Sequence, residues 1–211
     1  MKILILGASQ GTGAWAVQAA LARGHEVTAF ARSPQKLAIE HAKLHKLVGD
    51  FHDRASVAAA VSGHDAVIIT ASATKLATFK DEPHYFSKGT AFAIAAMQAC
   101  GVKRLVVLSA NGTGESRKML PWLAQTIMID WLLKIPFADH AVQEQLVRDS
   151  GLEWVIARPG RLTDGPARGK YRANSKLEPV PNSISRADVG GFLVTAAETD
   201  TWLRQAVQLG G

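Results

Sequence analysis

The sequence predicts a doubly wound α/β fold built on a parallel sheet. Short apolar runs rich in β-branched residues alternate with longer helical patterns along all 211 residues. Hydrophobic residues make up 47% of the chain, which is enough to bury a large core. No internal repeat or low-complexity linker marks a boundary, so we expect residues 1–211 to form a single domain.

The elements can be assigned in order. KILILG is the first strand, a helix runs over about 14–23, and Gly24 stands at the position of a C-terminal cap. HEVTAFA is the second strand, and SPQKLAIEHA predicts a short helix with Pro34 in its first turn. HKLVGD, DAVIITAS and RLVVLSA are further strands, separated by the helix ASVAAAVSG and a helix near 88–100. Continuous apolar runs of this kind are typical of parallel strands buried on both faces.

The pattern changes after Ala110. NGTGESRKMLPWLAQTIMIDWLLKIPF has the apolar spacing of a core helix, but an insertion covering a crevice at the strand ends fits equally well. The helix DHAVQEQLVRDSG follows, with Asp139 as its expected N-cap and Gly151 past its end. The strand LEWVIARPG, a basic loop, the helix NSISRADVGGFLVTAAE and the final run QAVQLGG complete the chain. We expect 112–137 and 160–182 to form a small lobe on the substrate side.

Composition excludes several classes of protein. The net charge is +6, but the basic residues are scattered apart from a cluster over 158–176, and no DNA-binding motif accompanies them. We therefore expect no nucleic-acid partner, although a phosphate-bearing ligand would use the same charges.

Cys100 is the single cysteine, so a disulfide within the chain is impossible and no metal site is predicted. The opening apolar run stops at Gly7, too early for a signal peptide, and no later run reaches about 18 residues, the length of a membrane span. These features predict a cytoplasmic protein without a membrane partner, as a monomer or homodimer.

A glycine pattern, GxxxGxG, joins the first strand to the first helix. Gly7, Gly11 and Gly13 permit a tight turn and close approach to a pyrophosphate, which the helix N-terminus attracts. Strand, glycines, helix and second strand together predict a Rossmann-type dinucleotide site. The loop residues expected to contact the cofactor also include Ser9, Gln10 and Thr12.

The end of the second strand indicates which dinucleotide is bound. An acidic residue there would bind the ribose 2′-hydroxyl of NAD, but this chain has Arg32 and Ser33, with Lys36 shortly after. These residues suit the 2′-phosphate of NADP(H). Further contacts are expected where the other strands end: Asp50 and Phe51 beside the adenine, Ala71 and Ser72 near the nicotinamide half, and Leu108 and Pro159 after them.

Ser109 ends the fifth strand, where short-chain dehydrogenases place a catalytic Ser or Thr beside a Tyr and a Lys four residues later. The chain has two tyrosines, and Tyr85 and Tyr171 are followed at that spacing by Gly89 and Ser175. The Tyr-Lys acid pair is therefore absent. Ser109 remains the main catalytic candidate.

Several stretches carry a resemblance to a known family: GASQGTG, ARSPQKL, LVGDFHD, VKRLVVLSA, HAVQEQLVRDSGLEWVIARPGRL and ISRADVGGFLV. They resemble the atypical short-chain dehydrogenase/reductases, a group that includes NmrA-like proteins and biliverdin reductase B-like flavin reductases. The resemblance covers nearly the whole chain. It places Pro136 and His140 at the Tyr and Lys positions, and the flavin reductase branch carries the same Asp-His pair as Asp139 and His140. His140 is therefore a second catalytic-side candidate, with a structural role as its alternative.

Two features depart from the flavin reductase branch. Its glycines are spaced GxxGxxG, and it has a His where this chain has Arg161.

The resemblance implies an NADPH-dependent reductase of a conjugated acceptor such as FMN, FAD, a quinone or a tetrapyrrole. Such acceptors spread the charge of an incoming hydride and need no strong acid. Trp122 and Arg161 are the expected substrate contacts, and Arg161 and the basic loop either attract a phosphate of FMN or are simply solvated. The alternative function is an NmrA-like NADP sensor without turnover; an epimerase or dehydratase is disfavoured because the Tyr is missing.

Overall fold

The computed structural model describes residues 1–71, 77–119 and 131–211. Its strands are β1 Lys2–Leu6, β2 Glu26–Ala31, β3 Leu44–Val48, β4 Ala66–Ile69, β5 Arg104–Leu108, β6 Glu153–Pro159, β7 Arg161–Thr163, β8 Arg172–Asn174, β9 Ser183–Ser185 and β10 Gln205–Gly210. Its α-helices are α1 Gly11–Ala22, α2 Arg54–Val61, α3 Thr78–Asp81, α4 Tyr85–Cys100, α5 Lys134–Asp149 and α6 Arg186–Glu198. Two 3₁₀ segments, Pro34–Lys36 and Gly114–Met119, complete the described elements.

One large sheet runs through the protein in the order β3-β2-β1-β4-β5-β6-β10-β8, and β7 and β9 form a separate pair. Neighbouring strands are parallel except β8, which is antiparallel to β10. Leu6, the last residue of β1, pairs with Phe30 on β2 and with Ile69 on β4. The chain thus winds away from β1 in both directions, and the predicted doubly wound Rossmann-type fold is confirmed. A crevice at the carboxyl end of β1 is the usual ligand position in such a sheet.

The sheet is buried on both faces because successive side chains alternate between two cores. Ile3 and Ile5 pack on one side with α1 and α6, whereas Leu4 and Leu6 pack on the other side with α2 and α4. All four side chains are fully buried. This double burial explains why the strands are continuously apolar instead of alternating with polar residues.

The predicted helix SPQKLAIEHA is wrong: only the 3₁₀ turn Pro34–Lys36 forms there. The chain leaves the carboxyl end of β2 and must reach the opposite end of β3, its parallel neighbour. An extended chain covers about 3.3 Å per residue and a helix about 1.5 Å, so the few residues before Leu44 have to be extended. Leu37 begins this stretch with extended backbone and a buried side chain.

The long stretch after Ala110 is described only at its two ends. Its first part forms the 3₁₀ segment Gly114–Met119, and its last residues belong to the first turn of α5. Within the three described ranges, no helix has both the length and the apolarity needed to cross a bilayer.

Candidate functional site

The three glycines of the first loop have different structural reasons. Gly7 has φ +92, and a Cβ added there would lie 2.6 Å from the backbone N and Cα of Ala71. A Cβ at Gly13 would lie 2.7 Å from Oγ1 of Thr70, which itself donates to the carbonyl of Leu6 at 3.1 Å. These two glycines let the ends of β1 and β4 meet beneath α1.

Gly11 has φ +56, but the nearest atoms to an added Cβ are 3.9 Å away, in the side chain of Arg186. Among the described residues, only the side chain of Arg186 comes this close to an added Cβ at Gly11. Gln10 makes no side-chain capping bond to α1, and no acidic residue lies in the first turn of that helix. Its first amides and their partial positive charge thus fit a phosphate group.

A cleft runs from this loop across the ends of β2 and β3. It brings together most of the predicted cofactor residues: Gly7, Ser9, Gln10, Arg32, Ser33, Lys36, Asp50, Phe51 and Ala71. The 3₁₀ turn after Ser33 directs the chain so that Lys36 joins Arg32 at the same cleft. Two cations at one end and a glycine loop at the other are what a dinucleotide with a 2′-phosphate requires.

Tyr85, at the start of α4, also lines this cleft, and sequence reasoning missed it. Burial raises its pKa, and the charges of Arg32 and Asp50 act on it in opposite directions. Its ring makes an edge contact with His52 at 4.4 Å between centroids, and Nε2 of His52 lies 2.8 Å from the carbonyl oxygen of Tyr85. The contact joins residues 33 positions apart in the chain, so no local motif pointed to Tyr85.

Ser109 is 5% exposed, and its hydroxyl donates to Oε1 of Glu144 at 2.7 Å. The same carboxylate accepts from Nε of Arg158 at 2.9 Å and from Nη2 of Arg158. Arg158 is fully buried and also donates to Glu115, from Nη1 to Oε1 at 3.0 Å and from Nη2 to Oε2 at 3.1 Å. Because a carboxylate only accepts hydrogen bonds, the single hydroxyl hydrogen of Ser109 is already engaged.

Glu115 joins this network from the 3₁₀ segment after β5. Burial alone would raise its pKa, but hydrogen bonds from Arg158 and the charges of Arg158 and Arg148 lower the pKa to about 2. Nη2 of Arg148 donates to Oε1 of Glu115 at 2.9 Å. The network therefore ties the segment after β5 to α5 and β6. Its charged members were not among the predicted site residues.

His140 lies in the second turn of α5, buried and stacked on Phe86 at 3.9 Å between ring centroids. Burial lowers its pKa. Nδ1 lies 2.8 Å from Oε1 of Gln143, whose Nε2 donates to Oγ1 of Thr90 at 2.9 Å. In this arrangement Nδ1 of His140 faces the amide oxygen of Gln143, which only accepts hydrogen bonds.

The expectation that Asp139 caps its own helix is wrong, because α5 already begins at Lys134. Its buried carboxylate instead accepts from the backbone N of Phe86 at 2.5 Å and from the backbone N and hydroxyl of Ser87. These groups belong to the first turn of α4, where a carboxylate stabilises the unpaired amides. Asp139 thus caps the neighbouring helix.

The remaining predicted site residues lie in different parts of the structure, and two of them lie outside the described residues. Leu108 ends β5 beside Ala157 on β6, and the carbonyl of Pro159 accepts from the backbone N of Asn111 at 2.9 Å. Thr12 is buried in the first turn of α1. Arg161 is exposed at the start of β7. Ser72 and Trp122 lie outside the described residues. Among those that are described, no group of three His, Cys, Asp or Glu side chains is arranged to hold a metal ion.

The fold and the cleft define a dinucleotide-binding protein. A sequence profile for the family described as NAD(P)H-binding matches residues 7–200, and the chain belongs to that family. The predicted membership in a nicotinamide-dinucleotide family is thereby confirmed.

Relatives of known sequence include the uncharacterised sugar epimerase YhfK of Bacillus subtilis, 26% identical over 212 residues, a match covering 99% of this chain and 94% of that protein. The 3-diazoavenalumate denitrifying reductase of a Streptomyces species is 32% identical over 186 residues, covering 82% of this chain and 59% of its own. The 3-beta-hydroxysteroid dehydrogenase of Mycolicibacterium neoaurum is 37% identical over 118 residues, covering 52% of this chain and 32% of its own. This chain spans about a third to a half of the length of several curated relatives that it matches.

Solved structures share the whole fold. The anaerobilin reductase ChuY of Escherichia coli O157:H7 superposes with a TM-score of 0.82 at 23% identity, covering 100% of this chain and 97% of that one. A short-chain dehydrogenase/reductase of Veillonella parvula in complex with NADP gives a TM-score of 0.83 at 18% identity, covering 100% and 94%. At these identities the similarity shows the fold alone.

Proposed function

We propose that the protein is an NADPH-dependent reductase that transfers hydride to a flat conjugated acceptor such as a flavin, a quinone or a tetrapyrrole. One observation carries the proposal: the hydroxyl hydrogen of Ser109, the main candidate on the catalytic side, is already donated to Glu144 and is not available to protonate a substrate. A serine whose hydrogen is already donated suits an acceptor that takes up hydride first and collects its proton from solvent.

The cofactor half of the proposal rests on the cleft. The guanidinium of Arg32 and the ammonium of Lys36 provide the charges for a 2′-phosphate, and the hydroxyl of Ser33 provides a hydrogen bond. Asp50, Phe51 and Tyr85 line the same cleft and surround the adenosine end. Bound NADPH would supply the hydride equivalent, and these residues orient it.

The substrate half rests on Ser109. Its hydrogen is donated to Glu144, so the lone pairs on Oγ remain to accept a hydrogen bond. An N–H or O–H group of the acceptor, such as the imide of a flavin, matches that oxygen and would be positioned by it. In favourable cases the correct orientation of the reactants lowers the activation barrier by about 7–11 kcal/mol. Such positioning therefore suffices for a reactive acceptor.

The substrate-side segments complete the proposal. The described part of 112–137 follows β5 directly, and Arg161 opens the segment 160–182 with an exposed guanidinium after β6. Arg161 and the exposed Arg168, Lys170 and Arg172 provide positive charge for an anionic acceptor such as FMN or FAD. A relative that is named a reductase, from a Streptomyces species, supports the reaction class.

The test is to mix the protein with NADPH and, in turn, FMN, FAD, a quinone and biliverdin, and to follow the nicotinamide absorbance. Turnover of at least one acceptor, faster with NADPH than with NADH, is the expected result. Tight binding of NADPH without turnover of any acceptor would contradict the reductase and favour the alternative, an NADP sensor. Absence of NADPH binding would contradict both.

A further inference from the structure

We propose that Arg186 binds the diphosphate of the dinucleotide and that Asp164 holds its guanidinium when the ligand is absent. The inference rests on the NADPH site proposed above. It assigns a second cationic contact, distinct from the ribose-phosphate contacts of Arg32 and Lys36.

Helices α1 and α6 pack side by side and run in the same direction. Gly190 of α6 approaches α1 so closely that an added Cβ would be 2.7 Å from the backbone N of Ala16. At the far ends of the same helices, Nη1 of Arg23 donates to Oγ1 of Thr195 at 2.9 Å and to Oε2 of Glu198 at 2.5 Å. The register continues to the first turns, which brings Arg186 beside Gly11.

The side chain of Arg186 lies against Gly11. Both Cδ and Nε of Arg186 lie 3.9 Å from where a Cβ of Gly11 would stand. Gly11 is the one residue of the three-glycine pattern that the packing of neighbouring backbone does not explain, and its φ of +56 lies in the left-handed region. The side chain of Arg186 therefore borders the surface on which a diphosphate is expected.

The guanidinium of Arg186 forms an exposed ion pair with Asp164. Nη1 of Arg186 donates to Oδ1 of Asp164 at 2.7 Å, and the side chain of Asp164 is 92% exposed while that of Arg186 is 28% exposed. Solvent-exposed pairs of this kind are weak, so a diphosphate competes readily for the guanidinium. The planar fork of arginine also matches phosphate oxygens in geometry. Arg32 and Lys36 line the end of the cleft formed by β2, which leaves the glycine loop to Arg186.

The experiment measures dissociation constants of purified variants by titration calorimetry with two ligands, NADPH and adenosine 2′-monophosphate, which lacks the diphosphate. For Arg186→Gln we expect affinity for NADPH to fall about 10- to 100-fold, the range of one charge-assisted hydrogen bond, with affinity for adenosine 2′-monophosphate unchanged. For Asp164→Asn we expect NADPH to bind more tightly, because the competing carboxylate is gone. Arg23→Gln is the matched control, since it removes an ion pair at the opposite ends of the same two helices; its affinity for NADPH is expected to equal that of the unmodified protein.

The outcomes separate the two proposals. If the unmodified protein does not bind NADPH, the proposed function fails and the inference fails with it. If the unmodified protein binds NADPH and Arg186→Gln binds it equally well, the role of Arg186 is refuted while the cofactor site stands. If Arg186→Gln loses both ligands alike, Arg186 supports the fold of the loop and does not contact the diphosphate.

Discussion

Ser109 and Arg158 share one carboxylate: Oε1 of Glu144 accepts from the hydroxyl of Ser109 at 2.7 Å and from Nε of Arg158 at 2.9 Å. The serine that follows β5 is thus part of a buried charge network, and its hydroxyl hydrogen is already donated. This relationship changes what a substitution at Ser109 is expected to do.

Replacing Ser109 by Ala is expected to lower turnover of the acceptor by about 3- to 10-fold and to leave NADPH affinity unchanged. A residue that positions a substrate contributes less than a proton donor, whose removal costs about 10²- to 10⁴-fold. Steady-state kinetics over a range of pH measures both quantities. A fall of 10³-fold or more, with loss of a titrating limb in the pH profile, would mean that Ser109 donates a proton after all.

Replacing Glu144 by Gln is expected to destabilise the protein by about 3–5 kcal/mol, because Arg158 is fully buried and would lose its main charge partner. Glu115→Gln is the matched control: the same guanidinium loses a partner whose side chain is 47% exposed, so we expect a smaller loss of stability than in Glu144→Gln. Urea unfolding at neutral pH measures both variants. Equal losses would show that Glu115 compensates the buried charge as much as Glu144 does.

The same network predicts a dependence of stability on acid. The pKa of Glu115 is about 2 in the folded protein against 4.5 ordinarily, so the unfolded chain binds the proton more readily. Its contribution to stability is therefore complete above about pH 4.5 and is lost as the pH falls towards 2. The free energy of unfolding should fall less steeply in Glu115→Gln than in the unmodified protein over that interval. Parallel curves for the two proteins would contradict the lowered pKa.

The sequence predicted the doubly wound sheet because strands buried on both faces leave continuous apolar runs, as in KILIL and RLVVL. It also predicted which strand ends meet, so Arg32 and Asp50 could be assigned to one cleft from topology alone. It failed where a contact joins residues distant in the chain. The path from Lys36 to Leu44 depends on the pairing of β3, and the role of Asp139 depends on the first turn of α4. Glu144 and Arg158 gave no local signal, because buried charges become recognisable only when their partners are known.

Replacing Arg32 by Asp tests the preference for NADPH over NADH. In the cleft, Arg32 and Lys36 are positioned to neutralise a 2′-phosphate, and an aspartate would repel that phosphate while accepting from the 2′-hydroxyl of NADH. A charge-assisted contact of about 1.5–3 kcal/mol corresponds to a loss of at least 10-fold in NADPH affinity, and the introduced repulsion adds to it. NADH affinity is expected to stay the same or improve.

Arg172→Asp is the matched control, because Arg172 is exposed on β8 at the opposite edge of the sheet from β2 and β3. Equal loss of NADPH and NADH in Arg32→Asp, or equal loss of NADPH in both variants, would show that Arg32 does not contact the 2′-phosphate.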